Sequence, residues 1–263
     1  MSEEKDMNIK NLSFGLILAI SIVPIFYGTA LAVAPTLQLD IGGGVYSNII
    51  TTNNPDGAGI VATSNPFTLY SLMTPDQDSG LGNTYYLSVG ILPPQTTSAN
   101  LGSFKIVSGP GIAPNSVINV TADMVQGTPP IATVDKELAT HGAFPTYFIE
   151  IPFVFDALKK ATSYNVKEDA GGPTPSASGG TYYQDWVFDI SGLDSGEYLH
   201  FDLYQIGGWG GPNGDKFTGI VEFAPFSHDA SSDGHQVPEP GTMVLLGSGL
   251  VGLAGWGRKK FRK

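Results

Sequence analysis

The chain has 263 residues, a formal net charge of −11 and no cysteine. The absence of cysteine excludes disulfide bonds, thiolate catalysis and zinc sites built from cysteine. Residues 33–236 hold 20 acidic and six basic residues, and so acidic a surface disfavours binding to nucleic acid.

The amino-terminal segment, residues 1–34, has the layout of a secretory signal peptide. Lys10 precedes an apolar run over residues 12–26, and small residues follow at alternate positions. The pattern predicts a signal helix that the export machinery recognises and signal peptidase removes. The small residues are Ala30, Ala32 and Ala34.

Two features of this segment leave alternatives open. We expect cleavage after Ala32, because cleavage after Ala34 would place Pro35 directly beyond the scissile bond. The residues before Met7 are unusually acidic for an export signal, so Met7 is an alternative start to Met1. A permanent amino-terminal anchor is a further interpretation, and in either case the middle of the chain is exported.

Residues 35–226 consist mostly of short runs in which apolar and polar side chains alternate, separated by clusters of Gly, Pro, Asn and Asp. This period of two predicts β-strands, and only residues 156–164 suggest a short helix. We predict an all-β fold class: a single two-sheet antiparallel sandwich with jelly-roll-like connections. The predicted strands cover residues 36–41, 67–72, 85–91, 104–107, 117–120, 147–155, 182–190, 199–203 and 217–223.

The alternation also predicts which side chains face solvent. Gln38 and Asp40 alternate with leucines and an isoleucine, and His200 and Asp202 alternate with Leu and Phe. We therefore expect strands with one buried face and these polar residues outside. Pro152 cannot donate to a strand ladder, which predicts a sheet edge or a bulge at that position.

Two glycine-rich segments, residues 168–180 and 207–215, are predicted to be loops that project from the sandwich. The second contains Trp209, whose exposed indole would offer a flat apolar platform for a sugar ring. Asn213 and Asp215 would supply hydrogen bonds beside it. These three residues form a candidate glycan contact.

An acidic turn supplies a weak candidate for calcium. Asp76 and Asp78 offer carboxylate oxygens close to Gly80, as calcium-binding loops do. Leu87 stands at the twelfth position from Asp76, where an EF-hand requires an acidic residue. We assign no metal or other cofactor, and a calcium-stabilised adhesion module remains an alternative function.

Catalytic patterns are sparse, and we predict that the protein is not an enzyme. The neighbours Ser227, His228 and Asp229 have the residue types of a catalytic triad, but adjacent side chains on an extended chain cannot line up as one. The four histidines lack the spacing of a zinc site. An extracellular glycan-acting hydrolase remains an alternative, with paired carboxylates on one sheet face. Its candidate acids are Asp185, Asp189 and Asp202.

The carboxy-terminal part has two sections. Residues 227–236 are polar, lack alternation and are predicted to be a linker. Residues 237–263 contain a stiff turn, an apolar run over 242–257 that as a helix would reach about 24 Å, and a basic end. These features predict a carboxy-terminal transmembrane helix with its basic end in the cytoplasm. The turn is Pro238, Glu239 and Pro240, and the membrane stop is Arg258, Lys259 and Lys260.

Turn, short apolar run and basic end in this order resemble the PEP-CTERM sorting signal of exopolysaccharide-producing bacteria. The resemblance implies recognition and cleavage of the tail near Pro238 to Pro240 by a membrane-embedded exosortase. An ordinary single-pass anchor is the alternative interpretation. The resemblance covers about a tenth of the chain and implies a membrane-anchored precursor followed by release to the cell surface or extracellular matrix.

Four segments of the middle are similar to the choice-of-anchor N family of bacterial exported proteins. That family implies a layout with interchangeable carboxy-terminal anchors, and no catalytic residues. We therefore predict an exported surface or exopolysaccharide-associated protein with a non-enzymatic, carbohydrate-binding sandwich. The segments are residues 37–41, 64–70, 141–147 and 224–230.

Overall fold

The computed structural model describes residues 35–47, 58–96, 100–132, 138, 142–210 and 216–232. Most elements within these ranges are strands, and each of the two α-helices is a single turn. The strands are β1 Leu37–Ile41, β2 Val45–Ser47, β3 Gly59–Val61, β4 Phe67–Met73, β5 Tyr85–Leu92, β6 Ser103–Ser108, β7 Ser116–Asn119, β8 Val125–Gly127, β9 Thr146–Phe153, β10 Lys160–Ala161, β11 Thr181–Asp189, β12 Tyr198–Gly210, β13 Lys216–Phe223 and β14 Ala230–Ser231. The helices are α1 Val120–Asp123, α2 Val166–Asp169 and a 3-10 helix at Phe226–His228.

The strands form two sheets. Sheet A has the order β1-β4-β11-β6-β7, with β10 also paired to β11. Sheet B has the order β2-β3-β14-β12-β5-β9-β8, with β13 also paired to β12. Among the described strands, every pair is antiparallel except β14 with β3, which is parallel. The prediction of a mostly β protein with two sheets is confirmed, and the parallel pair departs from the fully antiparallel sandwich that was expected.

Aromatic side chains from both sheets fill the space between them. The ring of Trp186 on β11 packs edge-on against Phe153 on β9, with centroids 4.8 Å apart. The ring centroids of Phe188 on β11 and Phe201 on β12 are 4.9 Å apart. Large aromatic side chains bury more apolar surface than aliphatic ones, so these contacts between sheets A and B anchor the sandwich.

The outer faces of both sheets are partly covered, which corrects the prediction of strands with one buried face. All five residues of β1 are buried, because residues 164–172 lie over Gln38 and Asp40 and hydrogen bond to them. On sheet B, a second apolar cluster covers His200 and Asp202, which are only 3% and 4% exposed. The cluster comprises Leu92, Leu138, Ala143, Phe144, Phe148, Tyr198, Tyr204 and Ile220.

The short helix predicted over residues 156–164 is wrong. A turn closes between Asp156 and Lys159, and Lys160 and Ala161 then pair with the start of β11 as strand β10. A neighbouring strand edge therefore outweighs the weak local helix propensity of this stretch.

No helix in the described ranges is long and apolar enough to cross a membrane. The predicted signal helix in residues 1–34 and the predicted transmembrane helix in residues 237–263 both lie outside the described residues.

Candidate functional site

The strongest functional signal in the sequence is the carboxy-terminal tail, so the candidate site is the place where the chain leaves the sandwich towards that tail. Pro238, Glu239, Pro240 and the basic end lie outside the described residues. The last described residue is Ser232, six residues before Pro238. What the structure defines is the strand that leads to the processing motif and the end of the sandwich around it.

The last two strands, β13 and β14, behave as one interrupted strand along β12. Tyr204 pairs with β5 on one side and with β13 on the other. Phe201 likewise pairs with β5 on one side and with β14 on the other. Strands β13 and β14 therefore share one side of β12, and the 3-10 helix at Phe226–His228 is an excursion between them.

Strand β14 is an interior strand of sheet B and is held on both sides. Its carbonyl at Ser231 accepts a hydrogen bond from Ala62 N–H at 3.0 Å, next to β3. On the other side, Ser232 N–H donates to Leu199 O at 2.8 Å, and Ser232 Oγ accepts from Leu199 N–H at 2.7 Å. Ser232 is 1% exposed, so the chain is fixed in the fold as far as this residue.

This result differs from the predicted linker over residues 227–236. Residues 227–232 belong to the sheet or to its excursion, and the tether to the tail starts no earlier than residue 233. Ala230, Ser231 and Ser232 are buried although they give no alternating apolar signal, because it is their backbone that pairs between β3 and β12. Nothing in the local sequence pattern distinguishes them from a flexible linker.

The excursion brings Ser227 and His228 into hydrogen-bond contact without forming a catalytic triad. Ser227 Oγ lies 3.0 Å from His228 Nδ1, and Tyr46 Oη donates to Ser227 O at 3.0 Å. His228 Nε2 is buried and has no hydrogen-bond partner among the described residues. A triad needs partners on both ring nitrogens in line, so this arrangement does not supply one.

Burial, with a smaller contribution from the charge of Lys167, lowers the pKa of His228 to about 4. The imidazole is therefore neutral at neutral pH. A neutral ring avoids the cost of placing an unpaired charge inside the protein. His228 is therefore an uncharged, buried side chain of the excursion and does not act as a cation.

We use the name exit end for the three turns that lie where the chain leaves the sandwich and that contact one another: residues 62–66, 93–96 and 190–197. They are linked by side chains. Gln95 Nε2 donates to Glu197 Oε1 at 3.1 Å, and Asn65 Oδ1 accepts from Ile190 N–H at 2.9 Å. The exit end is thus a connected surface.

The exit end is acidic. The three turns contain Asp194 and Glu197 but no Lys or Arg. Asp189, the last residue of β11, adjoins them and pairs with Lys105 of β6. Burial raises the pKa of Glu197, with the charge of Asp194 adding to the effect. The Ser191 N–H, donating to Asp189 at 3.0 Å, instead lowers the pKa of that carboxyl.

The candidate glycan contact is only partly described. Trp209 lies in strand β12, opposite Phe217 of β13, whereas Asn213 and Asp215 lie outside the described residues. The predicted loop over residues 207–215 therefore starts later than expected. Gly207 is within the strand and pairs with Gly219, and a Cβ at this position would lie only 2.7 Å from Val221 Cγ1.

At the weak calcium candidate, the carboxylate of Asp76 closes its own turn. Its Oδ1 accepts from the N–H groups of Asp78 and Ser79 at 2.9 and 2.7 Å, and its Oδ2 accepts from Thr36 Oγ1 at 2.8 Å. Burial opposes ionisation, but these hydrogen bonds outweigh it and lower the pKa of Asp76. Within the described ranges, no three His, Asp or Glu side chains are grouped to hold a metal ion.

The three carboxylates considered for a hydrolase are divided between the two sheets, so they do not all share one sheet face. Asp185 and Asp189 lie on β11 in sheet A, whereas Asp202 lies on β12 in sheet B. Asp185 forms an ion pair with Lys159. Asp202 is buried beside His200, with Oδ1 3.5 Å from Nε2. The predicted alternation of inward and outward side chains holds along β11 and β12. The alternation does not show that these two strands belong to different sheets.

Asp40 is a buried acid whose role sequence reasoning missed. Its carboxylate accepts hydrogen bonds from the N–H groups of Ile41, Gly171 and Gly172 and from the Tyr164 hydroxyl. Burial raises its pKa despite these donors. Asp40 fastens residues 164–172 over sheet A and is structural.

Comparison with known proteins bears on the tail. The PEP-CTERM protein-sorting motif matches residues 236–259, a span that includes Pro238, Glu239, Pro240, Arg258 and Lys259. No curated protein and no solved structure matches the chain. The motif supports an exported PEP-CTERM protein that an exosortase sorts, with a membrane-anchored precursor before processing.

Proposed function

We propose that this chain is a surface or exopolysaccharide-associated protein of the choice-of-anchor N type, delivered outside the cell as a folded sandwich. The observation that carries the proposal is the PEP-CTERM match at residues 236–259. The signal peptide starts export, and the basic residues Arg258, Lys259 and Lys260 stop it, because positive charge after an apolar span resists translocation.

The tail is then removed. Pro238 and Pro240 lack an N–H and fix φ, so the tripeptide stays extended beyond the membrane, in a form that suits a protease. The exosortase cuts near it and releases or transfers the sandwich. The product then resides at the cell surface or in the extracellular matrix.

The sandwich acts by binding and not by catalysis in this proposal. Two features support a non-enzymatic role. The acids Asp185 and Asp202 lie in different sheets, and His228 is held neutral within the fold with its Nε2 buried. Carbohydrate contact is assigned to Trp209, with Asn213 and Asp215 as hydrogen-bonding neighbours.

The mass of the native extracellular protein tests the sorting proposal. We expect an amino terminus after Ala32 and a carboxy terminus near residues 238–240. A double variant, Pro238→Ala with Pro240→Ala, should keep its tail and stay with the membrane. An extracellular form of the wild type that still contains Lys263 would contradict the proposal.

The glycan contact is tested separately. Trp209→Ala should lower retention of the processed protein by the cell's own exopolysaccharide. Leu158→Ala is the matched control, because Leu158 is the most exposed large apolar side chain among the described residues, at 90%. Equal retention of both variants and the wild type would count against a role for Trp209.

A further inference from the structure

We infer that the exosortase acts on the precursor while the exit end of the sandwich lies directly against the enzyme. This inference rests on the proposed function, because it concerns how the processing motif is presented. It identifies the three turns at residues 62–66, 93–96 and 190–197 as an interaction surface. The partner is the part of the exosortase that surrounds the proline tripeptide.

The tether between the sandwich and the processing motif is short. Ser232 is fixed by two hydrogen bonds to Leu199, and Pro238 follows six residues later. An extended chain spans at most about 3.5 Å per residue, so Ser232 lies within about 20 Å of Pro238. An enzyme that holds Pro238 therefore works within about 20 Å of Ser232 and of the end of the sandwich around it.

The tether cannot be lengthened without disrupting sheet B. Releasing more chain would require β14 to leave its place between β3 and β12. That movement would break the hydrogen bonds at Ile60, Ala62 and Leu199 and separate β2 and β3 from the rest of sheet B. An edge strand could peel away, but an interior strand is held on both sides.

The turns of the exit end are the surface that faces the enzyme. Leu199, the partner of Ser232, lies two residues after the turn at residues 190–197. At the same end, Phe67 at the start of β4 pairs with Phe188 near the end of β11. The opposite end carries Met73, which pairs with Tyr182. The turns at the exit end are thus the parts of the sandwich nearest to the motif.

The charge of the exit end favours the enzyme over the lipid surface as its partner. The turns of the exit end carry Asp194 and Glu197 and no Lys or Arg, and the charges of Asp189 and Lys105 beside them offset each other. Anionic lipid headgroups repel such a surface, whereas basic groups on a protein attract it. The charge therefore favours contact with the exosortase.

A cysteine pair gives a direct test, because the chain has no cysteine of its own. Ser195→Cys places a thiol in the exposed turn of the exit end. Leu158→Cys places one at the opposite end, next to β10 and Tyr182. Each full-length precursor is labelled with a thiol-linked photo-crosslinker and reconstituted with a catalytically inactive exosortase in phosphatidylcholine vesicles.

We expect the Ser195→Cys precursor to form at least fivefold more adduct with the exosortase than the Leu158→Cys precursor. Equal adduct from both positions, or more from Leu158→Cys, would overturn the inference. Adduct from Ser195→Cys mainly with lipid would also overturn it, by making the membrane the partner.

Tether length gives an independent test in cells that contain an active exosortase. Deleting residues 233–235 shortens the reach to about 10 Å and leaves the matched motif intact. We expect processing at least tenfold slower with an unchanged melting temperature. The control replaces Asp233 and His235 with Gly, which keeps the length, and should be processed normally. Normal processing of the folded deletion variant would refute close contact at the exit end.

The two proposals fail in different ways. If an active exosortase leaves the wild-type precursor uncut, the proposed function is wrong. If the wild type is cut, but the crosslinks and the deletion contradict the expectations above, only the contact at the exit end is wrong.

Discussion

Asp40 shows how a single buried carboxylate holds an irregular segment in place. It is 0% exposed and accepts four hydrogen bonds, two of them from the consecutive N–H groups of Gly171 and Gly172. Residues 164–172 have little regular structure of their own beyond one helical turn. Their position over β1 therefore depends on this acceptor.

We expect Asp40→Ala to lower the free energy of unfolding by about 3 kcal/mol, because each buried donor left without a partner costs about 1–3 kcal/mol. The matched control is Tyr164→Phe, which removes one donor and keeps the acceptor, and should cost about 1 kcal/mol. Urea unfolding measures both. Equal losses would mean that Asp40 contributes no more than its contact with Tyr164.

His228 should make the fold sensitive to acid. Its pKa falls from 6.5 in the unfolded chain to about 4 in the fold, first through burial and then through the charge of Lys167. The folded state therefore binds fewer protons than the unfolded state. The stability that this histidine contributes is present above pH 6.5 and is lost as the pH falls towards 4.

We expect the wild type to lose about 1 kcal/mol more than a His228→Leu variant between pH 7 and pH 4.5. The whole pKa difference would give a larger loss of stability, but solvent near the ring screens part of the cost of protonating it. Lys167→Gln serves as the control and should reduce the acid loss only slightly. Chemical unfolding at the two pH values measures the difference, and parallel losses in the wild type and His228→Leu would contradict the assignment.

At the scale of single elements, alternation predicts a strand but not what covers it. Trp186 and Phe188 alternate with Asp185 and Asp189 along β11, and both aromatic residues are buried as the period of two requires. Pro152 was expected at an edge or a bulge. Strand β8 pairs only with residues 146–148 of β9 and leaves Pro152 beyond its reach.

The same rule misses polar residues that a distant segment covers. Asp40 and His200 occupy the outward positions of their strands, as expected, but residues far along the chain bury them. Phe144 packs edge-on against His200, with centroids 6.5 Å apart. Such cover depends on tertiary contacts between segments, which a local pattern in one sequence does not encode.

Residues 227–232 were predicted to be part of a linker, but they belong to the fold through strand β14. Truncation of the chain tests whether the fold needs them. A secreted chain that ends after Ser232 should melt at the same temperature as one that ends after Gln236. A chain that ends after Phe226 should lose β14, and with it the hydrogen bonds at Ile60, Ala62 and Leu199. We expect it to be unfolded or at least 10 °C less stable, because β14 joins β3 to β12.

Thermal unfolding followed by circular dichroism distinguishes these chains. If the chain that ends after Phe226 is as stable as the other two, residues 227–232 are a tether after all. The exit end would then not be held close to the exosortase, because the reach to Pro238 would be much longer.

At the scale of the whole molecule, the sandwich carries far more acid than base. Residues 33–236 hold 20 acidic and six basic residues, so like charges repel one another across the surface. Such repulsion keeps a protein soluble but opposes the compact state. Any cation that screens or binds these acids should stabilise the fold, and the question is whether calcium does more than screen.

We expect stabilisation by screening alone. Raising NaCl from about 10 to about 300 mM shortens the Debye length from about 30 Å to below 8 Å and should raise the melting temperature by a few degrees. The melting temperature should be the same in calcium chloride and in magnesium chloride at equal ionic strength. The reason is that Thr36, Asp78 and Ser79 already hydrogen bond to both carboxylate oxygens of Asp76. Scanning calorimetry with the two chlorides measures this. A melting temperature clearly higher in calcium, and lost in Asp76→Asn, would instead support the calcium-stabilised adhesion module.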